Sequence, residues 1–420
     1  MNYERMKGWV PERLQGIAVL RGPGTVPTGK LAIGFGVAES VGEEARGLGA
    51  RKALLVTDRV LSEIGVTALL ERRLKAEGLS VTTFDGVTPE PKLSGCRKVQ
   101  ELVRSGGYDL VVGCGGGSVM DTAKVAAITA TNPADIEEYL TGASFEKEGL
   151  PLLLLPTTSG TGSEVSPFIV FSSEERKLFQ GSPYLVSTIA LVDPLLTISM
   201  PPSVTAATGL DALSHAVEGA QSSRNPYTEA LAARCVELVF GYLVPAFQDG
   251  ENLEARYHLS FASVMGMTAY TQGGGLYAHS LSYLLTTHYN WPHGVGCGVS
   301  LPYTLEYNAN VIGPLLDRFA GAIRAGKAGE SRRELEIGGG GDTVRVTIQA
   351  LFRLLKALNV PTDLSGLAIG GDLVDTFSEE LVSTYKRPKN PRELDREGAK
   401  RLMESLRTGS LTGLREFGRV

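Results

Sequence analysis

The stretch that decides the fold runs from Tyr108 to Ala127 and reads YDLVVGCGGGSVMDTAKVAA. A short apolar run is followed at once by a glycine-rich turn and then by a helical pattern. Two apolar runs lie upstream, one beginning at Lys30 and the other ending at Asp58. Each is followed by a helical pattern in the same way. Short β-rich runs that alternate with helices predict βαβ units and a mostly parallel sheet. The first half of the chain is therefore predicted to be an α/β domain.

The glycine-rich turn predicts a cradle for a pyrophosphate. Glycines let the backbone approach a phosphate closely, and a helix N-terminus offers N–H donors with a partial positive charge. The turn is neither the G-x-G-x-x-G fingerprint nor a P-loop, and taken alone it fits a tight turn without ligand equally well. Asp58 is predicted either to accept hydrogen bonds from a ribose diol, which would favour NAD over NADP, or to cap the next helix.

A second polar loop follows the next apolar run. Residues 157–166 read TTSGTGSEVS, directly after the buried-strand pattern PLLLLP. So many hydroxyls and glycines suit a phosphate or a nicotinamide ribose, and a plain polar turn is the alternative.

The character of the sequence changes near Pro201-Pro202, a proline pair that is predicted to stop the segment after the last strand of the first half. Beyond it, strand signals give way to long amphipathic patterns, which predict a helical domain. We therefore predict an α/β domain over residues 1–203, with residues 1–28 as an N-terminal extension, and a helical domain over 204–420. Residues 324–342 are predicted to be a flexible insertion between helices.

A metal-ligand pattern lies in the helical half. In TGLDALSHAVE, Asp211 and His215 stand four residues apart on a predicted helix and share one face. His279 and His293 follow, and the whole sequence holds only five histidines. One carboxylate and three imidazoles suit Zn²⁺ or Fe²⁺. The alternative is that these side chains pair locally or belong to the core.

Composition excludes several classes of function. The chain has 420 residues and a formal net charge of -5, so neither nucleic acid nor an anionic membrane is an expected partner. No apolar run is expected to span a bilayer, and the start has no apolar targeting segment. The four cysteines are scattered, which fits a reducing compartment and packing roles. We expect a cytoplasmic enzyme.

Four motifs together carry a resemblance to a known family. GGGSVMDTAK, PTTSGTGSEVS, MPPSVTAATGLDALSHAVE and H-x13-H-G occur in this order. The set resembles the iron-containing, or group III, alcohol dehydrogenases over roughly residues 30–406. The resemblance implies an α/β dinucleotide-binding domain plus an all-α C-terminal domain, the dehydroquinate synthase-like fold. It also implies a cleft that holds NAD(P) and a divalent metal.

The resemblance assigns roles to individual residues. The implied metal ligands are Asp211, His215, His279 and His293. The implied cofactor contacts are Asp58, Gly115, Gly116, Gly117, Ser118, Asp121, Thr157, Thr158, Thr161, Ser163 and Lys177.

The implied reaction interconverts an alcohol and an aldehyde or ketone by hydride transfer to or from a nicotinamide, with the metal polarising the substrate oxygen. The implied cofactors are NAD in preference to NADP and one divalent metal, with Fe²⁺ before Zn²⁺, and a homodimer or larger homo-oligomer is expected. Three rivals stay open. They are a hydroxyacid-oxoacid transhydrogenase with tightly held NAD, a dehydroquinate synthase-like lyase and an inert scaffold.

One position departs from the family pattern. Most members carry a histidine four residues after the third ligand, where this chain has Tyr283. We predict that the Tyr283 hydroxyl or His288 takes over the role of that histidine in proton transfer. The alternative for His288 is an exposed loop histidine.

Overall fold

The computed structural model describes residues 6, 20–22, 28–89, 93–172, 177–326 and 343–415. The chain forms two compact units. The first comprises Met1–Met200 and Glu251–Ser260, and the second comprises Pro201–Gly250 and Phe261–Val420. The predicted boundary differs from this division in two places, because residues 201–203 belong to the second unit and 251–260 to the first.

The first difference has a local cause. The proline pair at 201 and 202 does not stop the preceding segment but starts a helix, with Pro202 at its first position. Proline is favoured there because its missing N–H would have no partner inside the helix in any case.

The first unit is built on one large sheet. Its seven strands are β1 Leu20–Gly22, β2 Lys30–Ile33, β3 Lys52–Asp58, β4 Ser80–Val87, β5 Leu110–Gly115, β6 Leu152–Pro156 and β9 Ile189–Val192. The spatial order is β1-β2-β9-β6-β5-β3-β4, and every pair is parallel except β1 with β2. A separate antiparallel hairpin joins β7 Phe168–Ser172 to β8 Lys177–Gly181.

Both faces of the sheet are covered. Along β3, Ala53 and Leu55 enter one apolar cluster while Leu54 and Val56 enter the other. Alternation between two buried faces explains why the parallel strands read as continuous apolar runs. The covering helices of this unit are α1 Val41–Gly47, α2 Arg59–Glu63, α3 Val66–Ala76, α4 Leu93–Gly106, α5 Gly117–Thr129 and α6 Ile136–Leu140.

Over the residues described after Met200, all regular structure is helical, as predicted. The helices are α7 Pro202–Ser223, α8 Pro226–Gln248, α9 Leu253–Gly273, α10 Tyr277–Tyr289, α11 His293–Asn308, α12 Gly313–Gly326, α13 Thr343–Ala357, α14 Gly371–Val382 and α15 Arg396–Thr408. The α/β plus all-α fold class is thereby confirmed. Most of the predicted insertion, residues 327–342, and most of the N-terminal extension lie outside the described residues.

One helix is more apolar than the sequence analysis allowed. By length and composition, α8 could cross a membrane, and half of its most apolar window is buried inside the protein. Its buried positions include Val236, Val239 and Leu243. The core helix of a soluble protein can be equally long and apolar, so the composition of α8 is weak evidence for a membrane span.

Candidate functional site

The four predicted metal ligands meet in the second unit. Helix α7 presents Asp211 and His215 one turn apart, α10 presents His279, and α11 begins at His293. The Oδ1 atom of Asp211 lies 3.7 Å from His215 Nε2, 4.0 Å from His279 Nε2 and 3.7 Å from His293 Nε2. One carboxylate oxygen therefore faces three imidazole nitrogens.

A second carboxylate fixes the ring of His279. Glu218 lies on α7, seven residues after Asp211, and its Oε2 atom is 2.5 Å from His279 Nδ1. Glu218 also accepts hydrogen bonds from the backbone N–H groups of Leu276 and Ala278, which start α10. Because Nδ1 carries the proton that faces this carboxylate, Nε2 keeps its lone pair and faces Asp211.

A hydroxyl fixes the ring of His293 in the same way. The Ser282 Oγ atom donates to the His293 carbonyl at 2.6 Å and lies 2.8 Å from His293 Nδ1. Since the hydroxyl proton is already donated, Nδ1 is the donor to Ser282 and Nε2 is unprotonated. Two of the three imidazoles are thus held in the tautomer that a metal ligand needs.

Two buried polar atoms of the cluster have no hydrogen-bond partner, namely Asp211 Oδ1 and His279 Nε2. Leaving such an atom buried and unsatisfied costs about 1–3 kcal/mol. Burial also raises the pKa of Asp211, but the neighbouring His215, His293 and His279 lower it by more whenever they carry a positive charge, so the carboxylate is ionised. An ionised oxygen and unprotonated imidazole nitrogens are donors for a divalent cation, and these residues therefore fit a metal such as Fe²⁺ or Zn²⁺.

Three residues of this cluster were not predicted from the sequence, namely Glu218, Ser282 and Cys297. The Cys297 sulfur lies 3.6 Å from His293 Nε2. Helical spacing could have flagged two of them, since Glu218 follows Asp211 by two turns and Cys297 follows His293 by one. Ser282 acts through a ring on the next helix and leaves no spacing signal.

Tyr283 lies beside the cluster. Its ring stacks on that of His293 at a centroid distance of 5.3 Å and an interplanar angle of 17°. The guanidinium of Arg387 lies 5.8 Å from the Tyr283 ring centroid, and its Nε donates to Ser280 at 2.8 Å. Burial raises the pKa of Tyr283, and Arg387 offsets only part of that rise. The phenol is therefore protonated at neutral pH.

The structure does not bring His288 to this cluster. His288 is 40% exposed, lies 3.9 Å from Glu380 and packs its ring on Phe377. It follows His279 by nine residues, which is about half a rotation around α10. These contacts match the exposed alternative and give no support to a role in proton transfer.

In the first unit, the strand ends gather several predicted cofactor residues. Strand β5 lies between β3 and β6, and Gly115 at its end is in register with Pro156. Asp58 ends β3, and the backbone N–H of Thr157 donates to the Gly115 carbonyl at 3.0 Å. Ligands bind at the carboxyl ends of strands in open α/β sheets. Asp58 also caps α2 by accepting from the backbone N–H of Leu61 at 3.0 Å, so the predicted cap is present.

The glycine turn itself has two kinds of glycine. A Cβ on Gly115 would lie 2.5 Å from Val119, and one on Gly117 would lie 2.9 Å from Thr161, so packing alone excludes a side chain there. A Cβ on Gly116 would meet only Thr158, at an ordinary 3.5 Å. The buried Thr158 hydroxyl beside Gly116 has no hydrogen-bond partner. A free hydroxyl next to an open backbone at the start of α5 fits a phosphate group.

Two other residues predicted to contact the cofactor, Asp121 and Ser163, form hydrogen bonds within the protein. Ser163 donates to the Asp121 carboxylate at 2.6 Å, and the N–H of Val170 donates to its other oxygen at 2.9 Å. Asp121 and Ser163 thereby join α5 to the loop after β6 and to the β7–β8 hairpin. Ser118 lies in the first turn of α5, and Lys177 begins β8, where burial lowers its pKa to about 8.

A cavity of about 330 Å³ lies at the carboxyl end of β4. Its lining residues are Phe84, Gly86, Val87, Thr88, Ser94, Gly95, Lys98 and Thr122. Thr122 belongs to α5, the helix that starts at the glycine turn. None of these residues was predicted to bind the cofactor, although the strand-end rule applied to β4 points to them.

Known proteins resemble the chain along most of its length. Residues 27–194 match the iron-containing alcohol dehydrogenase family, and residues 205–406 match the C-terminal domain of the Fe-containing alcohol dehydrogenase family. The long-chain-alcohol dehydrogenase 1 of Geobacillus thermodenitrificans (strain NG80-2) is 35% identical over 354 residues, which cover 83% of this chain and 88% of that relative.

Solved structures agree with the sequence matches. The crystal structure of a 1,3-propanediol oxidoreductase superposes with a TM-score of 0.82 at 30% identity, covering 93% of this chain and 99% of that one. The sulfoacetaldehyde reductase from Bifidobacterium kashiwanohense, solved in complex with NAD+, gives a TM-score of 0.81 at 28% identity, covering 93% and 100%. The predicted resemblance is confirmed, and the chain, an oxidoreductase of alcohol dehydrogenase type, belongs to the iron-containing alcohol dehydrogenase family.

Proposed function

We propose that the protein is a metal-dependent, NAD-linked oxidoreductase that interconverts an alcohol with an aldehyde or ketone. The observation that carries the proposal is the pair of buried, unpartnered atoms, Asp211 Oδ1 and His279 Nε2, within a set of donors suited to one divalent cation. Asp211, His215, His279 and His293 would hold that cation, with Fe²⁺ as the first choice and Zn²⁺ as the alternative. When bound, it supplies a Lewis acid that polarises the substrate oxygen.

The protein's own residues prepare the site for this chemistry. Glu218 and Ser282 hold the protons of His279 and His293 on Nδ1, which leaves each Nε2 free to act as a ligand. The Tyr283 phenol keeps its proton at neutral pH and stacks on His293. We propose that this phenol exchanges a proton with the substrate oxygen as that oxygen gains or loses negative charge.

The cofactor proposal rests on the first unit. The open backbone at Gly116 and the unpartnered Thr158 hydroxyl would bind the pyrophosphate. Asp58 uses one carboxylate oxygen to cap α2, and a carboxylate has further lone pairs for a ribose diol. Its negative charge would repel a 2′-phosphate, so we propose NAD rather than NADP. The sulfoacetaldehyde reductase neighbour, solved with NAD+, supports a nicotinamide cofactor.

The substrate is proposed to be a small alcohol or aldehyde, and the working form a cytoplasmic homo-oligomer. Membership of the family supports the substrate class and the oligomer, and the scattered cysteines support a reducing compartment.

The test combines metal analysis with cofactor reduction. We expect the purified protein to contain about one divalent metal per chain and to form NADH from NAD with alcohols drawn from a panel of short alcohols, diols and hydroxy acids. Asp211→Ala and His279→Ala should each give a folded chain with little metal and little activity. The matched control is Glu229→Gln on α8, whose side chain pairs with Arg318. Full activity in either ligand variant would contradict the proposal.

The same assay separates the rivals. A transhydrogenase would turn over without added NAD, and a dehydroquinate synthase-like lyase would release phosphate with no net NADH. An inert scaffold would show neither reaction.

A further inference from the structure

Cys297 differs from the other three cysteines. Cys96 and Cys114 lie in the apolar clusters of the first unit, and the Cys235 sulfur contacts the carbonyl of Ala212. Cys297 is fully buried on α11, one turn after His293. Its sulfur faces His293, one of the predicted metal ligands, rather than an apolar cluster.

The sulfur of Cys297 lies where it could bind the same ion as the predicted metal ligands. Donor atoms of Asp211, His279, His293 and Cys297 all lie within 4.8 Å of one another. The distance from Cys297 Sγ to His293 Nε2 is 3.6 Å. Two donors that bind one Zn²⁺ tetrahedrally, nitrogen at about 2.1 Å and sulfur at about 2.3 Å, are separated by about 3.6 Å. The observed separation of 3.6 Å therefore agrees with coordination of one ion by both atoms.

Two further observations point to a ligand at this place. Asp211 Oδ1 and His279 Nε2 are buried without a hydrogen-bond partner, and both belong to the same group of donors. Together with His215, whose Nε2 is 3.7 Å from Asp211 Oδ1, these four residues offer five donors to one ion.

We propose that the Cys297 thiolate is a direct ligand of the divalent metal, so that the shell contains sulfur in addition to nitrogen and oxygen. The proposal rests on the metal-dependent function proposed above. On binding, the S–H bond breaks, a metal–sulfur bond forms and the proton passes to solvent, with no change in oxidation state. Because thiolates prefer softer cations, this ligand shifts the preference of the shell from Fe²⁺ towards Zn²⁺.

Cobalt provides a readout that does not depend on activity. We expect the metal-free full-length protein, loaded with Co²⁺, to show a thiolate-to-cobalt charge-transfer band in the near ultraviolet. Cys297→Ser should lose this band while still binding cobalt, and the control Cys96→Ala should keep it. On metal binding, Cys297→Ser should release one proton fewer than the wild type. Its affinity for Zn²⁺ relative to Fe²⁺ should fall about tenfold or more.

The outcomes distinguish this proposal from the proposed function. Stoichiometric cobalt without the sulfur band in the wild type, or an unchanged band in Cys297→Ser, would overturn the ligand assignment and leave the metal-dependent function intact. If Cys297→Ser does not fold, the wild-type spectrum alone decides. A wild type that binds no cobalt would overturn both.

Discussion

Tyr283 is the residue at which the sequence departs from the motif that the family resemblance implies. Its ring stacks on His293, one of the proposed metal ligands, and burial keeps its hydroxyl protonated near neutral pH. A phenylalanine would keep the stacking and remove only the hydroxyl. The residue therefore allows proton transfer to be tested separately from packing.

We expect Tyr283→Phe to lower turnover about 10²-fold or more, with unchanged metal content, because a positioned proton donor contributes about 10²–10⁴-fold. The matched control is His288→Ala, which should stay within about twofold of the wild type, since His288 is 40% exposed beside Glu380. Turnover measured against pH with a single alcohol checks both. Equal rates for wild type and Tyr283→Phe would exclude a role for the hydroxyl in the rate-limiting step.

For single residues, helical spacing and residue type were enough to predict which side chains form the candidate metal site. Asp211 and His215 share a helical face, and only four other histidines were available as partners. The orientation of the rings was out of reach, because it depends on Glu218 and Ser282, which contact His279 and His293 only after three helices have packed. Helical spacing cannot show which way a ring is turned.

Helix α11 approaches α7 so closely that one glycine decides the contact. A Cβ on Gly294 would lie 1.9 Å from the backbone oxygen of Ala207 and 3.0 Å from the Cβ of Asp211. Because a backbone oxygen cannot rotate away, a larger residue would push the start of α11 outward. His293, the preceding residue, would move with it.

We expect Gly294→Ala to weaken metal binding at least about tenfold and to lower the free energy of unfolding by about 1–3 kcal/mol, as overpacking does. Gly321→Ala on α12 is the matched control, because a Cβ there meets nothing within 4 Å. That change should stabilise the protein by up to about 1 kcal/mol, the usual gain when alanine replaces glycine in an exposed helix interior. Metal titration and chemical unfolding of both variants give the comparison, and normal metal affinity in Gly294→Ala would contradict the close approach.

The parallel strands were predictable because they are short continuous apolar runs, and the long helices because their apolar residues recur at helical spacing. The β7–β8 hairpin was missed because β8, with the sequence KLFQG, holds only two apolar side chains and β7 is followed at once by polar residues. The role of the Pro201-Pro202 pair was reversed, since proline both follows a strand and begins a helix equally well. A proline pair marks a boundary without saying on which side the next element starts.

At the scale of the whole molecule, stability depends on pH through ionisable groups buried in the first unit, among them Glu164 and Lys124. Burial raises the pKa of Glu164 to about 7 and lowers that of Lys124 to about 8. Lys124 donates to the Ser166 and Phe168 carbonyls, so its ammonium group is held by hydrogen bonds. Glu164 and Lys124 therefore change the free energy of unfolding with opposite dependence on pH.

The direction in which each group changes the free energy of unfolding with pH depends on whether the folded or the unfolded state binds its proton more tightly. Folded Glu164 binds its proton more tightly than the unfolded chain does, so its contribution to stability is present below pH 4.5 and is lost as pH rises through about 7. Folded Lys124 binds its proton less tightly, so its contribution is present above pH 10.5 and is lost as pH falls through about 8.

We expect Glu164→Gln to gain stability relative to the wild type as pH rises from 4.5 to 7, the interval over which Glu164 loses its contribution. The gain should reach at most about 1.4 kcal/mol per pH unit. Glu63→Gln, at an exposed position of α2, is the control and should leave the pH dependence unchanged. Thermal unfolding midpoints measured at half-unit pH steps provide the comparison. A constant difference between Glu164→Gln and the wild type across this range would contradict the assignment.

The meeting of α7, α10 and α11 at one cluster also has a thermodynamic meaning. An ion held by Asp211, His279 and His293 binds the folded helical unit, whereas the unfolded chain scatters the same donors along its length. By mass action, free metal at a hundred times its dissociation constant would then add about 2.7 kcal/mol to the stability of the folded state. The supply of metal in the cell would thus set how long the protein survives unfolding and proteolysis, as well as how fast it works.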